Sequence, residues 1–389
     1  MPEPADILSD RVAFDPAEDF DAFLKKVPAR WVVYLLTDEN DRAVQLLCVK
    51  NLRASLKRRL GGQETIGPTR SVNYRDVVRG VYWRRVDSAF EADIVYLEAA
   101  RSVFPESYQG MVGFRPAWFV HVDPDAKFPR YTKTIDLTKS GVLIGPVEDK
   151  HAAARLIELI EDAFDLCRYY NIPTLAPRGK ACAYKEMGKC PAPCDGSISM
   201  DQYRLMIRWS AEVAVESKSF IRDQQQRMQE AAKELRFETA AKIKAFIEEV
   251  SKFGKGPFRH ARRLDDFAFV SLQRGPKAGT AKVFIVCGGE IVEAAGIISE
   301  PGHSGDLLRH VLEQLELRSI SGIDETGAQR IGVVSAHLFS AKKQQGVFIR
   351  ADELDDNAIV KAYRDLQKQK VTEEGEEEGV VKELQAMGE

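Results

Sequence analysis

The chain has 389 residues, 44% of them hydrophobic and 30% charged, with 56 Lys and Arg against 59 Asp and Glu for a formal net charge of −3. At about 150 residues per domain this length predicts two to four units of a soluble multidomain protein. No apolar stretch is long enough to span a bilayer, which excludes an integral membrane protein and leaves no membrane among the expected partners.

From Trp31 to Leu36 the chain is apolar and β-branched, it turns at Asp38-Glu-Asn-Asp41, and it resumes from Ala43 to Val49 as a second strand. Asn51 to Leu60 then carries leucines at 52, 56 and 60 on one helical face, with Arg53, Lys57, Arg58 and Arg59 on the rest. That spacing sends the leucines into a core and the cations into water. A polar loop with Gly61, Gly62 and Gly67 leads to a strand over Val81–Val86 and a helix over Ala89–Ser102. These elements make a small α+β domain over 15–110.

Trp118–Val122 and Tyr131–Leu137 read as strands around the turn Asp123-Pro-Asp125, and a helix is expected from about Asp149 to Cys167, apolar at Leu156, Ile157, Leu159, Ile160 and Phe164. Asn171 to Gly179 holds two prolines and a glycine and reads as loop. Ser199 is placed to cap a helix opening at Met200. Between Glu216 and Lys252 two amphipathic arms follow, one with Phe220, Ile221, Met228, Ala231 and Leu235, the next with Phe237, Ala240, Ala241, Ile243 and Phe246. They suit an antiparallel hairpin, which Gly254 and Gly256-Pro257 end. Strands are then expected over Phe267–Leu272, Lys282–Val286 and Ile291–Ile298, and helices over Asp306–Leu317 and Asp356–Gln369. The remainder, with Glu373-Glu-Gly-Glu-Glu-Glu378, reads as a poorly ordered acidic tail.

Net charge hides a local asymmetry. Cations concentrate in Lys50-Asn-Leu-Arg-Ala-Ser-Leu-Lys-Arg-Arg59 and in Lys252 to Arg263, blocks that suit a nucleic-acid contact. Four of the six cysteines, Cys167, Cys182, Cys190 and Cys194, fall as C-x14-C-x7-C-x3-C, and four thiolates are what a tetrahedral zinc or a cubane iron–sulfur cluster needs. Cys48 and Cys287 each stand alone in an apolar run and read as core. Met1 to Pro28 is acidic and mixed, unlike a secretory signal, so the expected compartment is the reducing cytoplasm, where clustered cysteines bind metal more often than they pair.

Cys182-Ala-Tyr-Lys-Glu-Met-Gly-Lys-Cys-Pro-Ala-Pro-Cys-Asp-Gly-Ser-Ile-Ser199 resembles the UvrC family, the nuclease subunit of bacterial nucleotide excision repair. The resemblance runs over roughly the whole chain, but only over the first part of that longer protein. It implies an iron–sulfur cluster, of the 4Fe-4S type, on Cys167, Cys182, Cys190 and Cys194. Leu235-Arg-Phe-Glu-Thr-Ala-Ala-Lys-Ile243 is similar to the UVR motif, the hairpin through which UvrC pairs with UvrB, and implies partner contacts at Leu235, Phe237, Ala240, Ala241 and Ile243. Phe128-Pro-Arg-Tyr131 and the helix into Cys167 look like the linker of that family. UvrC continues into an RNase H-like nuclease domain and paired helix-hairpin-helix modules, and this chain stops before either.

The amino-terminal domain looks like a GIY-YIG nuclease with its motifs degraded. Such a site needs a tyrosine for the water, an arginine for the phosphate and a glutamate for a divalent cation, here Mg or Mn. Tyr34 and Glu98 match, the second tyrosine is replaced within Gln45-Leu46-Leu47, and Ser55 stands at the arginine position. Arg53 is a neighbour that substitutes poorly, because two residues along a helix rotate a side chain by about 200°.

The fold class expected is therefore α+β multidomain: a small mixed α/β GIY-YIG-like domain over 15–110, a linker and four-cysteine region over 111–212, a helical UVR hairpin over 213–254, a β-rich region over 255–369 and the tail over 370–389. The leading function is a UvrC-like repair protein that binds DNA through Lys50, Arg53, Lys57, Arg58 and Arg59, docks on UvrB, and cleaves weakly or not at all. An active endonuclease using Tyr34, Arg53 and Glu98 is the first alternative, and a redox-sensing adaptor without DNA affinity the second.

Overall fold

The computed structural model describes residues 4–61, 73–113, 116–169, 173–298, 304–316, 318, 322–340 and 346–369. Gly62, Gly67, Leu317 and the acidic tail lie outside the described residues. In chain order the first elements are α1 (Pro4–Ile7), β1 (Asp10–Ala13), α2 (Phe20–Lys25), β2 (Val32–Thr37), β3 (Ala43–Val49), α3 (Leu52–Leu60), α4 (Tyr74–Val77), β4 (Gly80–Arg85), α5 (Ala89–Val103) and α6 (Tyr108–Met111). Their strands form an antiparallel sheet in the order β1-β4-β2-β3.

β2 is apolar up to Thr37 because both faces of this sheet are covered, and all of its residues are buried. Alternation sends Val32, Tyr34 and Leu36 to one side, where they meet Leu52, Leu56 and Leu60 of α3 and Phe23 and Leu24 of α2. Val33 and Leu35 go to the other side, onto α5. Asn51 starts α3 by accepting from the Ala54 amide at 3.0 Å, so the leucine spacing sets the buried face and the cap sets where it begins.

The second group comprises β5 (Trp118–Val122), β6 (Thr132–Thr134), β7 (Val142–Val147), α7 (Lys150–Ala163), α8 (Ala183–Glu186), α9 (Met200–Val215), α10 (Ser217–Lys233), α11 (Phe237–Val250) and β8 (Arg262–Arg263), with the sheet order β6-β5-β7-β8. Val120 and Val122 pack with Leu156 and Ile160 of α7 and Tyr203 and Ile207 of α9. The strand expected over Tyr131–Leu137 closes at Thr134, because the Asp136 amide turns back to Thr134 Oγ1 at 3.0 Å. Gly145-Pro146 would ordinarily argue against a strand, yet it lies inside β7. A Cβ on Gly145 would fall 2.5 Å from the Phe119 ring, so only glycine lets that ring lie against the strand. The helix expected to reach Cys167 ends at Ala163, and Asp165 turns the chain with a φ of 51°.

The last group is β9 (Ala268–Arg274), β10 (Ala281–Cys287), β11 (Glu290–Ile298), α12 (Ser304–Glu316), α13 (Glu325–Phe339), β12 (Gly346–Arg350) and α14 (Asp356–Lys368), with the antiparallel order β11-β10-β9-β12. One face of this sheet packs Val270, Val283 and Ile285 against Val311 of α12 and Ile359 and Leu366 of α14. The other face presents Phe269, Phe284 and Val286 to α13 and to α5 of the first group. The chain is thus α+β with several sheets. Among the described residues no helix is long and apolar enough to cross a membrane.

The seam between the first and last sheets is sealed by an ion triad. Lys282 Nζ lies 2.7 Å from both Asp87 Oδ2 and Glu91 Oε1, and the Glu91 side chain is 3% exposed. Lys282→Ala is expected to destabilise the fold by about 3–5 kcal/mol, because it leaves a buried carboxylate without its cation. A drop in the urea midpoint at constant slope checks this, and an unchanged midpoint would show that the seam is not held there.

Candidate functional site

Tyr34 is fully buried, and its hydroxyl is 2.9 Å from Ser55 Oγ of α3. Burial pushes this phenol up from its ordinary pKa, against the lowering influence of the Ser55 hydrogen bond and of Arg59 and Arg58. A phenol that is neutral and sealed from water has no route to a metal-bound nucleophile. Ser55 is itself buried as the hydroxyl's partner.

Glu98 lies on α5, which covers the opposite face of the sheet from Tyr34. Its carboxylate accepts from Arg101 at 2.6 Å and from Nε of Arg330, on α13, at 2.7 Å. Both oxygens are therefore occupied by guanidinium groups. Tyr34 and Glu98 are not brought together, which corrects the expectation that they share one catalytic centre. Arg53 does not join them either, since its Nη2 donates to the Val27 carbonyl at 2.9 Å. Arg330 is a partner the sequence gives no sign of, because it stands 232 residues from Glu98 in the chain.

What α3 does present is charge. Lys50, Arg53, Lys57 and Arg58 are exposed, and Arg59 is half-buried, donating to Gln45 Oε1 at 3.0 Å while resting over the Tyr74 ring. Among the described residues Lys50, Lys57 and Arg58 have no ion-pair partner. Asp21 and Lys25 of α2, with Asn51, Arg53 and Lys57, line an open cleft of about 450 Å³. Four exposed cations on one helix and its entry make a surface suited to a phosphate backbone.

The cysteine region begins where α7 stops. Cys167 donates its backbone N–H to the Tyr203 hydroxyl at 3.1 Å, which ties this thiol to α9. The Cys167 thiol donates to the Tyr169 carbonyl at 3.5 Å, and its interaction with Cys190 holds the Cys190 thiol below its ordinary pKa while raising that of Cys167. Cys194 lies within electrostatic reach of both. Gly179 donates to the Cys194 carbonyl at 2.8 Å, and the Cys194 thiol is 3.9 Å from the Lys180 carbonyl, so the segment leading to Cys182 is laced to Cys194. All four are free thiols. Among the described residues no three cysteine, histidine or carboxylate side chains already stand at metal-ligand spacing. In donor type and number the set fits a four-thiolate centre, since soft sulfur ligands select zinc and iron–sulfur clusters.

The hairpin α10–α11 is rooted in aromatic rings and ends in open apolar ones. Trp209 of α9 packs at 4.9 Å from Phe164 and 6.0 Å from Phe220, and Phe220 meets Phe246 at 5.6 Å. At the tip, Leu235 is 72% exposed and Phe237 64% exposed. Leu235 also holds a φ of 59°, a region disfavoured for a side chain with a Cβ. Ala241 is exposed, and Ala240 and Ile243 are half-buried, on the arm below.

Comparison with known proteins agrees with these two regions. Residues 117–212 match the family model described as the UvrC/Cho excinuclease middle domain, and residues 218–253 match the UvrB/uvrC motif. A UvrABC system protein C from Trichlorobacter lovleyi is 24% identical over 230 residues, covering 58% of this chain and 37% of that protein. Proteins of the same name from Syntrophomonas wolfei and Clostridium perfringens are each 25% identical, covering 69% and 70% of this chain and 44% of their own lengths. The chain spans less than half the length of these curated relatives. No solved structure matches it. The two matched models and the partial-length relatives support a UvrC-family protein.

Proposed function

We propose that this chain is a DNA-binding adaptor of nucleotide excision repair that docks on UvrB through its hairpin and does not itself cut the backbone efficiently. The hairpin carries this reading: a UvrB/uvrC motif whose tip leaves Leu235 and Phe237 in water while its root is locked by Trp209, Phe220 and Phe246. Burying a large apolar side chain is worth about 1.5–3 kcal/mol, and a helical partner would recover that at the tip. DNA contact is assigned to Lys50, Arg53, Lys57, Arg58 and Arg59; the first four are exposed, Arg59 is half-buried beside them, and α3 carries no acidic residue, which favours phosphate. A reading of weak or absent cleavage is supported by a buried Tyr34, a serine at position 55 and a Glu98 held between Arg101 and Arg330.

Cys167, Cys182, Cys190 and Cys194 are proposed to hold an iron–sulfur cluster, which would supply four metal–thiolate bonds to a stretch with few buried apolar residues, and a redox couple. The chain's own contribution is to orient the ligands. Tyr203 fixes the Cys167 backbone, and Asp165 and Ala192, both at positive φ, turn the chain close to Cys167 and Cys190.

Docking is tested by isothermal titration of the full chain with UvrB. Leu235→Asp with Phe237→Asp is expected to weaken binding by at least a hundredfold at unchanged helix content; wild-type affinity in that variant would sink the assignment. The cluster is tested by iron and sulfide analysis after anaerobic purification. Iron and acid-labile sulfide in the wild type, both lost in Cys190→Ser, are expected, whereas stoichiometric zinc with no sulfide would replace the cluster by a structural zinc.

A further inference from the structure

We infer that the exposed ring of Tyr169, backed by the half-buried Tyr184 beside the cysteine region, is a stacking platform for single-stranded DNA. This contact is distinct from α3, and it rests on the repair reading only in taking DNA as the substrate. Tyr169 is 50% exposed, and its ring lies 5.6 Å from that of Tyr184 at an interplanar angle of 61°. The Arg168 guanidinium sits 4.6 Å over the Tyr184 ring. Arg168 is in turn fixed by Asp162, at 3.0 Å from its Nε, and by the Lys189 carbonyl at 3.1 Å. The pair is therefore braced from one side, and the open aromatic surface belongs to Tyr169.

Lys189 is the cation tied to this ring pair, its carbonyl held by the same Arg168 that covers Tyr184. Lys189 is 55% exposed and faces Asp165 at 3.5 Å, a solvent-exposed pair worth little and readily exchanged for a phosphate. Arg178 and Lys180 are exposed and, among the described residues, have no ion-pair partner. A rigid aromatic face beside a cation is how proteins hold unpaired strands, because every base offers a π-face and every nucleotide a phosphate. A duplex keeps its base faces stacked within the helix and cannot use the ring. The platform thus selects an opened strand, while the cations of α3 suit duplex backbone.

The test is fluorescence anisotropy of the full chain, purified anaerobically, with labelled (dT)15 and with a duplex of the same length. Tyr169→Ala is expected to weaken (dT)15 binding by roughly tenfold and leave duplex binding unchanged, with Tyr169→Trp retaining wild-type affinity. Reversing Lys50, Lys57 and Arg58 to glutamate is expected to do the opposite. Wild-type (dT)15 affinity in Tyr169→Ala would overturn the proposal, as would duplex binding by a wild type that ignores (dT)15. If the wild type binds neither DNA, the repair reading fails as well. Self-association that Tyr169→Ala abolishes, with (dT)15 binding untouched, would reassign the ring to a protein contact and overturn the platform.

Discussion

Helix α5 is buried from two sides at once, and much of the architecture depends on that. Its inner face lies on Val33, Leu35 and Leu46 of the first sheet. Its outer face sends Phe90 among Phe284, His337 and Phe348 at 5.2–5.5 Å. Lys282 could be buried here only because Asp87 and Glu91 both accept from its ammonium, which offsets the cost of taking three charges out of water. Glu98 follows Glu91 by seven residues, about two helical turns, and so faces the same neighbour. The ion pair with Arg330 is a consequence of that periodicity. Glu98 thereby ties α5 to α13.

The same economy of contacts links the cysteine region to the hairpin. Phe164 closes α7 three residues before Cys167, and it packs on Trp209 of α9 and on Phe246 of α11 at 5.5 Å. Tyr203, on α9 as well, holds the Cys167 amide. The cysteine region and the hairpin root thus share one set of packed rings. The tip, by contrast, touches little, so the hairpin is anchored where the cysteines are and open where a partner would meet it.

Patterns that are local in the chain were legible in the sequence. The β2–β3 hairpin, the four-residue leucine spacing of α3, the Ser199 cap and the two arms of α10–α11 all depend on residues a few positions apart. Elements decided by distant packing were not. β7 hides behind Gly145-Pro146 until Phe119 is seen against it, and α13 carries Gly327, Gly332 and a Val333-Val334 pair, poor helix formers that Asp324 caps and the core overrides. For the candidate site, the cations of α3 could be read from spacing alone. The fate of Tyr34 and Glu98 could not, since it turns on Ser55, 21 residues away, and Arg330, 232 residues away.

Tyr34 and Glu98 are separated by the thickness of a sheet, and Glu98 is held between two arginines. The most direct test is incision of a nicked, damage-containing duplex by the anaerobically purified protein with manganese, alone and with UvrA and UvrB added, with Glu98→Gln as control. No incision above background in either protein, with UvrB binding retained, is the expected result. Manganese-dependent incision by the wild type that disappears in Glu98→Gln would contradict it and make the first sheet a working nuclease.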